Sequence, residues 1–310
     1  MSFSTNVKEE LVRIRIKSAS VRLSQLAGLT HSCGTLRLGR GSGVVYQTES
    51  RAVANEILSL VATLYPTLES TIELKEQQHR ARPLFVVTLR GDACETLLMD
   101  SGVIGRGKDG ELLLECAIPA SLIADEEEQR AFLRGIFLGS GSCSNPQRDY
   151  HLEMVLRSGA LCDTLCEMIG VFELTARHLE RRDKHIVYLK SEDVAGFLTL
   201  IGASAATLEF ENVRTVKEMR NYVNRKSNCE TANLGKTIDA GLSQIQAIEC
   251  IEDHMGLSCL PQPLYEAAML RLAHPDATLQ ELADRAEIGK SGMNHRLARL
   301  IRIAEEITHG

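Results

Sequence analysis

Apolar residues recur at helical spacing over much of the chain, and short runs with the two-residue alternation of strands lie between them. Val53, Ile57, Leu60, Val61 and Leu64 share one face of a helix, and Leu161, Leu165, Met168 and Ile169 share another. The pattern predicts helices over 6–16, 20–32, 53–64, 93–99, 129–141, 160–171 and 193–201. It predicts strands over 35–38, 44–48, 71–75, 84–89, 150–156, 174–179 and 185–189. The glycine-rich turn Gly39–Gly43 joins two of those strands. It lacks a Gly-Lys-Ser/Thr ending, so it reads as a hairpin loop rather than a phosphate cradle.

The order of elements occurs twice. Each half reads helix, two strands, helix, two strands, helix, and a repeat of this length is a duplicated domain rather than a solenoid unit. Leu26–Gly34 overlays on Leu133–Gly141 with glycine third (Gly28, Gly135) and last (Gly34, Gly141). Glycine inside a helix costs about 1 kcal/mol against alanine. The matched glycines therefore predict two helices packed face to face, holding the halves together. The glycine-rich segment 100–125 bridges them.

Beyond residue 205 strand signals fade. One helix is expected over 213–228 and a second over 234–255, with Leu234, Ile238, Leu242, Ile245, Ile248 and Ile251 as its ridge. Pro261 and Pro263 open a small module. Leu264, Ala267, Ala268 and Leu272 mark its first helix, ending before His274-Pro275. Thr278-Leu-Gln-Glu281 has the form of a capping box for a second helix. A short connection containing Gly289 leads to a third, with Met293, Leu297, Leu300, Ile301 and Ala304 on one face.

Helix, short turn, helix is a DNA-reading arrangement in which the last helix enters the major groove. Gly289–Ile303 contains Lys290, Arg296, Arg299 and Arg302 and no acid. Ser291, Asn294 and His295 are polar near the helix start and suited to base edges. With Thr278 they form the candidate DNA-binding set; a three-helix bundle with a solvated basic face is the alternative. Lys217, Asn221, Asn224 and Asn228 are spaced to share one helical face. Together with Arg220, Arg225 and Lys236 they form a second candidate surface, for DNA backbone or a protein partner, or else a polar seam between domains.

Composition narrows the class. The 310 residues carry a net charge of −6, which argues against a uniformly basic chain but permits a local basic face. No apolar run approaches the roughly 20 residues of a membrane span, and the first residues read as an ordinary helix rather than a signal peptide. Nine cysteines without Cys-x-x-Cys suggest reduced thiols and a cytoplasmic protein. Cys162 and Cys166 lack a histidine at zinc spacing and read as core. His151 beside Glu153 reads as surface, and no Ser-His-Asp set can be argued.

The double pattern over 20–205 resembles the LAGLIDADG homing endonuclease fold. The resemblance implies an α+β class: a duplicated αββαββα domain, followed here by an all-α helix-turn-helix domain. In that family the eighth motif position is acidic, and the two acids bind the divalent metals that cleave DNA. Here those positions are Cys33 and Ser140, and the sixth are His31 and Leu138. Neither pair supplies the hard oxygen ligands needed, so the expectation is no metal, no cofactor and no catalysis. Arg37, Arg40, Arg80, Arg82, Arg177, Arg181, Arg182 and Lys184 lie on or beside the predicted strands, among Glu73, Glu76, Glu180 and Asp183. They make either an ordinary solvated face or a residual DNA- or partner-binding one.

Three stretches together, the degenerate duplication, Asn221–Thr237, and Leu279–Ala283 with Gly289–Leu297, resemble the WhiA family of Gram-positive bacteria. The resemblance implies a DNA-binding transcription regulator acting in sporulation in actinomycetes and in cell division and chromosome segregation more widely. The implied partners are double-stranded DNA and, in sporulating actinomycetes, an iron–sulfur protein of the WhiB type. Nucleoid association follows from the same resemblance. The expected domains are 1–125, 126–207, a helical linker 208–257, and 258–310.

Overall fold

The computed structural model describes residues 2–37, 43–76, 83–107, 111–114 and 118–309. Two units divide the chain, Met1–Val216 and Lys217–Gly310.

The first unit is built twice over. After α1 (Phe3–Leu11), the first half comprises α2 (Ala19–Cys33), β1 (Gly34–Arg37), β2 (Gly43–Thr48), α3 (Arg51–Leu64), β3 (Glu69–Lys75), β4 (Leu84–Arg90) and α4 (Ala93–Asp100). A short hairpin, β5 (Ile104–Arg106) and β6 (Leu112–Leu114), follows. The second half comprises α5 (Glu126–Ser140), β7 (Gly141–Cys143), β8 (His151–Leu156), α6 (Gly159–Gly170), β9 (Arg177–Arg181), β10 (Lys184–Lys190) and α7 (Glu192–Ile201). The sheets run β1-β2-β4-β3 and β7-β8-β10-β9, antiparallel throughout. The matching strand order is the structural form of the duplication.

The glycine helices α2 and α5 pack as the overlay predicts. A methyl placed on Gly28 would overlap the Phe132 carbonyl oxygen and lie 3.0 Å from the Gly135 Cα. One placed on Gly135 would overlap the Gln25 carbonyl oxygen. A buried polar chain crosses the same seam. Arg134 Nε donates to Gln25 Oε1 at 2.6 Å, and Gln25 Nε2 donates to Glu56 Oε1 at 2.8 Å. Arg134 Nη1 also reaches the Ile201 carbonyl at 3.3 Å.

Some boundaries differ from expectation. α1 begins at Phe3 and stops at Leu11 rather than covering 6–16. The Ser2 hydroxyl caps it by accepting from Thr5 N at 3.2 Å, and Phe3, Val7 and Leu11 supply its buried face. Val12 caps the helix and forms a turn with Arg13, whose N donates to the Glu10 carbonyl at 3.1 Å, and Ile14 N donates to the Leu11 carbonyl at 3.2 Å. The strand β7, which the repeated order implies but whose residues the pattern does not place, follows α5 directly, just as β1 follows α2. The turn 39–42 and the side chains of Arg40, Arg80 and Arg82 lie outside the described residues.

Beyond α7 runs a single helix, α8 (Ser204–Met255). The two helices expected over 213–228 and 234–255 are one, because nothing between them is strong enough to stop it. The stretch has no proline, and Gly235 costs only about 1 kcal/mol. Within the second unit, α8 contributes Ala247, Ile248 and Ile251 to a core completed by α9 (Gln262–Ala273), α10 (Leu279–Arg285) and α11 (Lys290–His309). Leu257, just beyond α8, packs into the same core. Ile238 and Leu242, expected in the ridge, are exposed.

Candidate nucleic-acid interface

The tail module is fixed by local chemistry. Pro263 lies in the first turn of α9, where its missing N–H costs nothing. That helix ends at Ala273, before the His274-Pro275 pair. Arg271, not anticipated from sequence, is buried on α9 and ties down the connection to α10. Its Nη1 donates to the Ala277 carbonyl at 2.7 Å and the Pro275 carbonyl at 3.3 Å. An arginine one turn beyond Ala267 and Ala268 was the available signal. Leu272, one of the residues that mark this helix in the sequence, is exposed.

The capping box forms as predicted. Thr278 Oγ1 accepts from Glu281 N at 3.3 Å, and Glu281 Oε2 accepts from Thr278 N at 2.7 Å. The same carboxylate oxygen accepts a second hydrogen bond, from the Thr278 hydroxyl, at 2.9 Å. These bonds, the backbone one foremost, hold the Glu281 carboxyl below its ordinary range. Thr278 is exposed at the start of α10, with its hydroxyl engaged in the cap.

α10 and α11 are joined through Ala286–Gly289. The left-handed residue in that turn is Glu287, at φ 55°, rather than Gly289. Ile288 N closes the turn on the Ala283 carbonyl at 3.0 Å.

On α11, Met293, Leu297, Leu300 and Ala304 face the core. Lys290, Ser291, Asn294, His295, Arg299 and Arg302 are exposed along the other side. At 100° per residue these six occupy one half of the helix circumference. Arg296 stands apart from them. It is half-buried, with Nη1 3.4 Å from the Pro263 carbonyl and 3.8 Å from Glu266, so it braces α11 against α9. Arg299 lies 3.8 Å from Glu306, an exposed pair worth little and easily exchanged for a phosphate.

The second candidate surface lies on α8. From Glu218 to Asn233 every residue is exposed, including Arg220, Asn221, Asn224, Arg225 and Asn228. Lys217 is half-buried and Lys236 exposed. Met219, Tyr222 and Val223, at 67%, 70% and 59% exposure, form an apolar stripe on a different side of the helix from the asparagines.

In the first unit, strand register sorts the charges that sequence reading left mixed. Arg177 pairs with Tyr188 and Arg181 with Lys184, while Glu180 pairs with His185. Alternation then places Arg177, Arg181, Lys184 and Lys190 on one face of the second sheet and Glu180 on the other. Glu153, paired with Tyr188, shares the basic face. The first sheet mixes both signs, with Glu69 directly opposite Arg90.

The twin helix ends carry no carboxylate. Cys33 Sγ turns back to the Leu29 carbonyl at 3.3 Å, and Ser140 Oγ to the Ile136 carbonyl at 3.2 Å. Burial pushes the Cys33 thiol up to about 12. His31 is engaged with the Ser101 carbonyl at 2.8 Å and Leu138 is buried. Close to these ends is Lys8 of α1, 5.9 Å from the Phe137 ring centroid. It lines a cleft of 840 Å³ with Gln47, Thr48, Glu49, Ser140 and Ser142. Burial lowers its ammonium to about 8, although Cys33 and Glu49 pull the other way. No sequence signal marked Lys8.

Comparison with known proteins matches these parts. The WhiA LAGLIDADG-like domain matches residues 129–220, and the WhiA C-terminal HTH domain matches 223–304. A probable cell division protein WhiA of Clostridium perfringens is 38% identical over 100% of this chain and 99% of its own length. One of Clostridium botulinum is 39% identical over 100% of both chains. The crystal structure of full-length DUF199/WhiA from Thermotoga maritima superposes with a TM-score of 0.62 at 28% identity, covering 99% of each chain.

Proposed function

Since this chain belongs to the WhiA family, we propose that it binds double-stranded DNA sequence-specifically and regulates transcription in cell division and chromosome segregation. The observation that carries this reading is the exposed half of α11, where Lys290, Ser291, Asn294, His295, Arg299 and Arg302 stand together after a capped α10. Asn294 and His295 read base edges near the helix start, and Lys290, Arg299 and Arg302 hold phosphates. Arg296 serves chiefly to brace the module. Arg220, Arg225 and Lys236 on α8 and the basic face of the second sheet add backbone contacts. The protein works in the cytoplasm on the nucleoid and needs no cofactor.

The protein catalyses no strand cleavage in this reading. Cys33 and Ser140 stand where the nuclease resemblance requires carboxylates, and each is hydrogen-bonded within its own helix. Incubation of DNA with the protein and magnesium or manganese should leave the substrate intact.

Electrophoretic mobility shift with genomic fragments tests the proposal. Some fragments should shift in preference to others and resist unlabelled competitor. Replacing Asn294 and His295 with alanine should erase the preference while nonspecific binding remains. Failure to shift any fragment favours a second reading, an interaction scaffold in cell division. The exposed Met219, Tyr222 and Val223 stripe on α8 is what supports that alternative, and a transcription-factor partner, WhiB-like in some relatives, would fit either case.

A further inference from the structure

Away from the surfaces above, three side chains of the second half form a directed chain. Asp163 Oδ1 lies 2.8 Å from His178 Nδ1, and His178 Nε2 lies 3.1 Å from His185 Nδ1. Asp163 is on α6, His178 on β9 and His185 on β10. Strand alternation sends both histidines to the α6 side of the sheet, opposite Arg177 and Arg181. Gly159, the first residue of α6, leaves room for them: a Cβ there would come within 3.0 Å of His185 Cε1.

We propose that His178 and His185 form a binding site for a divalent transition-metal ion, zinc foremost, with Asp163 as the carboxylate that orients it. An ionised carboxylate only accepts, so the proton shared with Asp163 sits on His178 Nδ1. His178 Nε2 is then a bare lone pair, and it is aimed at His185 Nδ1. Two nitrogens bound to one tetrahedral zinc at about 2.0–2.1 Å stand about 3.3 Å apart. The observed 3.1 Å is that of a hydrogen bond in which His185 Nδ1 carries the proton, so a bound ion replaces that proton, the proton passes to His185 Nε2 as the ring changes tautomer, and the two rings open toward the ion. A carboxylate on the far nitrogen of a ligating histidine is the usual outer partner, fixing the tautomer and raising ligand basicity. Imidazole nitrogens suit zinc, copper and nickel, whereas magnesium and calcium prefer oxygen.

Among the described residues no three His, Cys, Asp or Glu side chains converge on one point. The protein therefore supplies two ligands and water the rest, with Glu180 directly opposite His185 adding negative charge nearby. Both rings are half-buried, so an ion can enter from solvent. A bound ion would tie β9 to β10 beneath the hairpin turn, where Arg182 and Asp183 both hold positive φ, at 49° and 60°.

Zinc titration of the full-length chain against a chromophoric zinc indicator tests this. Wild type should take up one equivalent more than His178→Gln or His185→Gln. Asp163→Asn keeps both ligands and should weaken that equivalent about 10- to 100-fold. Zinc should also raise the melting temperature of the wild type more than that of either histidine variant, since the site exists only in the folded chain. Asp163→Asn reports on the site even where a histidine variant folds poorly. Equal uptake by wild type and both histidine variants would overturn the proposal. So would loss of the equivalent in Cys250→Ser alone, because Cys250 Sγ, 3.8 Å from His254 Nδ1, is the competing pair on α8.

Discussion

Gly28 and Gly135 face each other across the α2–α5 seam so closely that a methyl on the first would lie 3.0 Å from the Cα of the second. The obstructing atoms on both sides are backbone, which cannot swing aside. Gly135→Ala should therefore destabilise the first unit by about 1–3 kcal/mol or more, the cost of overpacking. This is far above the slight gain in helix propensity that alanine brings. Urea unfolding of the full chain measures it.

Lys8 makes stability depend on alkaline pH. Its folded value of about 8 lies below the ordinary 10.5, so the unfolded chain holds this proton more tightly. The penalty is fully present below pH 8 and is lifted as pH rises through 8 toward 10.5. Lys8→Met removes a penalty on the order of 1 kcal/mol at neutral pH. The variant should melt higher than wild type at neutral pH, and the gap should close with rising pH.

Much of this architecture can be read from residues that act locally. Thr278 and Glu281 specify their cap within four residues, and the Gly28/Gly135 register needs only the alignment of two short strings. What escaped depends on partners far along the chain. Arg134 meets Gln25 and Ile201 only after the halves assemble. The separation of Glu180 from Arg177 and Arg181 follows from a strand register not assigned beforehand. At Val12 the helix ends in a turn, although Ile14 and Ile16 keep the apolar residues coming and lengthen the apparent helix. On α8, polar residues weakened the apolar period at 229–233 without supplying a stop, so a continuous helix read as two.

The cysteines should divide by environment. Burial pushes the thiols of Cys33, Cys143 and Cys162 up to about 12, while Cys229 and Cys259 are exposed. Thiolate is the reactive form. Iodoacetamide at neutral pH should modify Cys229 and Cys259 first, with the three buried thiols reacting only after denaturation, as read by peptide mass mapping.

Glu287 holds the turn before α11 at φ 55°, a conformation that costs a residue with a Cβ about 1–2 kcal/mol. Glycine pays no such cost but loses more chain entropy on folding. Glu287→Gly should therefore stabilise the tail module by roughly 0.5–1 kcal/mol, seen as a higher melting temperature.

The most direct measurement is the salt dependence of DNA affinity for wild type and for Lys290→Ala/Arg302→Ala. Both side chains are exposed on α11, so their removal should leave the core intact. If that helix face grips phosphates, affinity falls and the slope of log K against log salt shrinks by about 0.9 for each phosphate no longer neutralised. A double variant with wild-type affinity and wild-type slope would contradict the account.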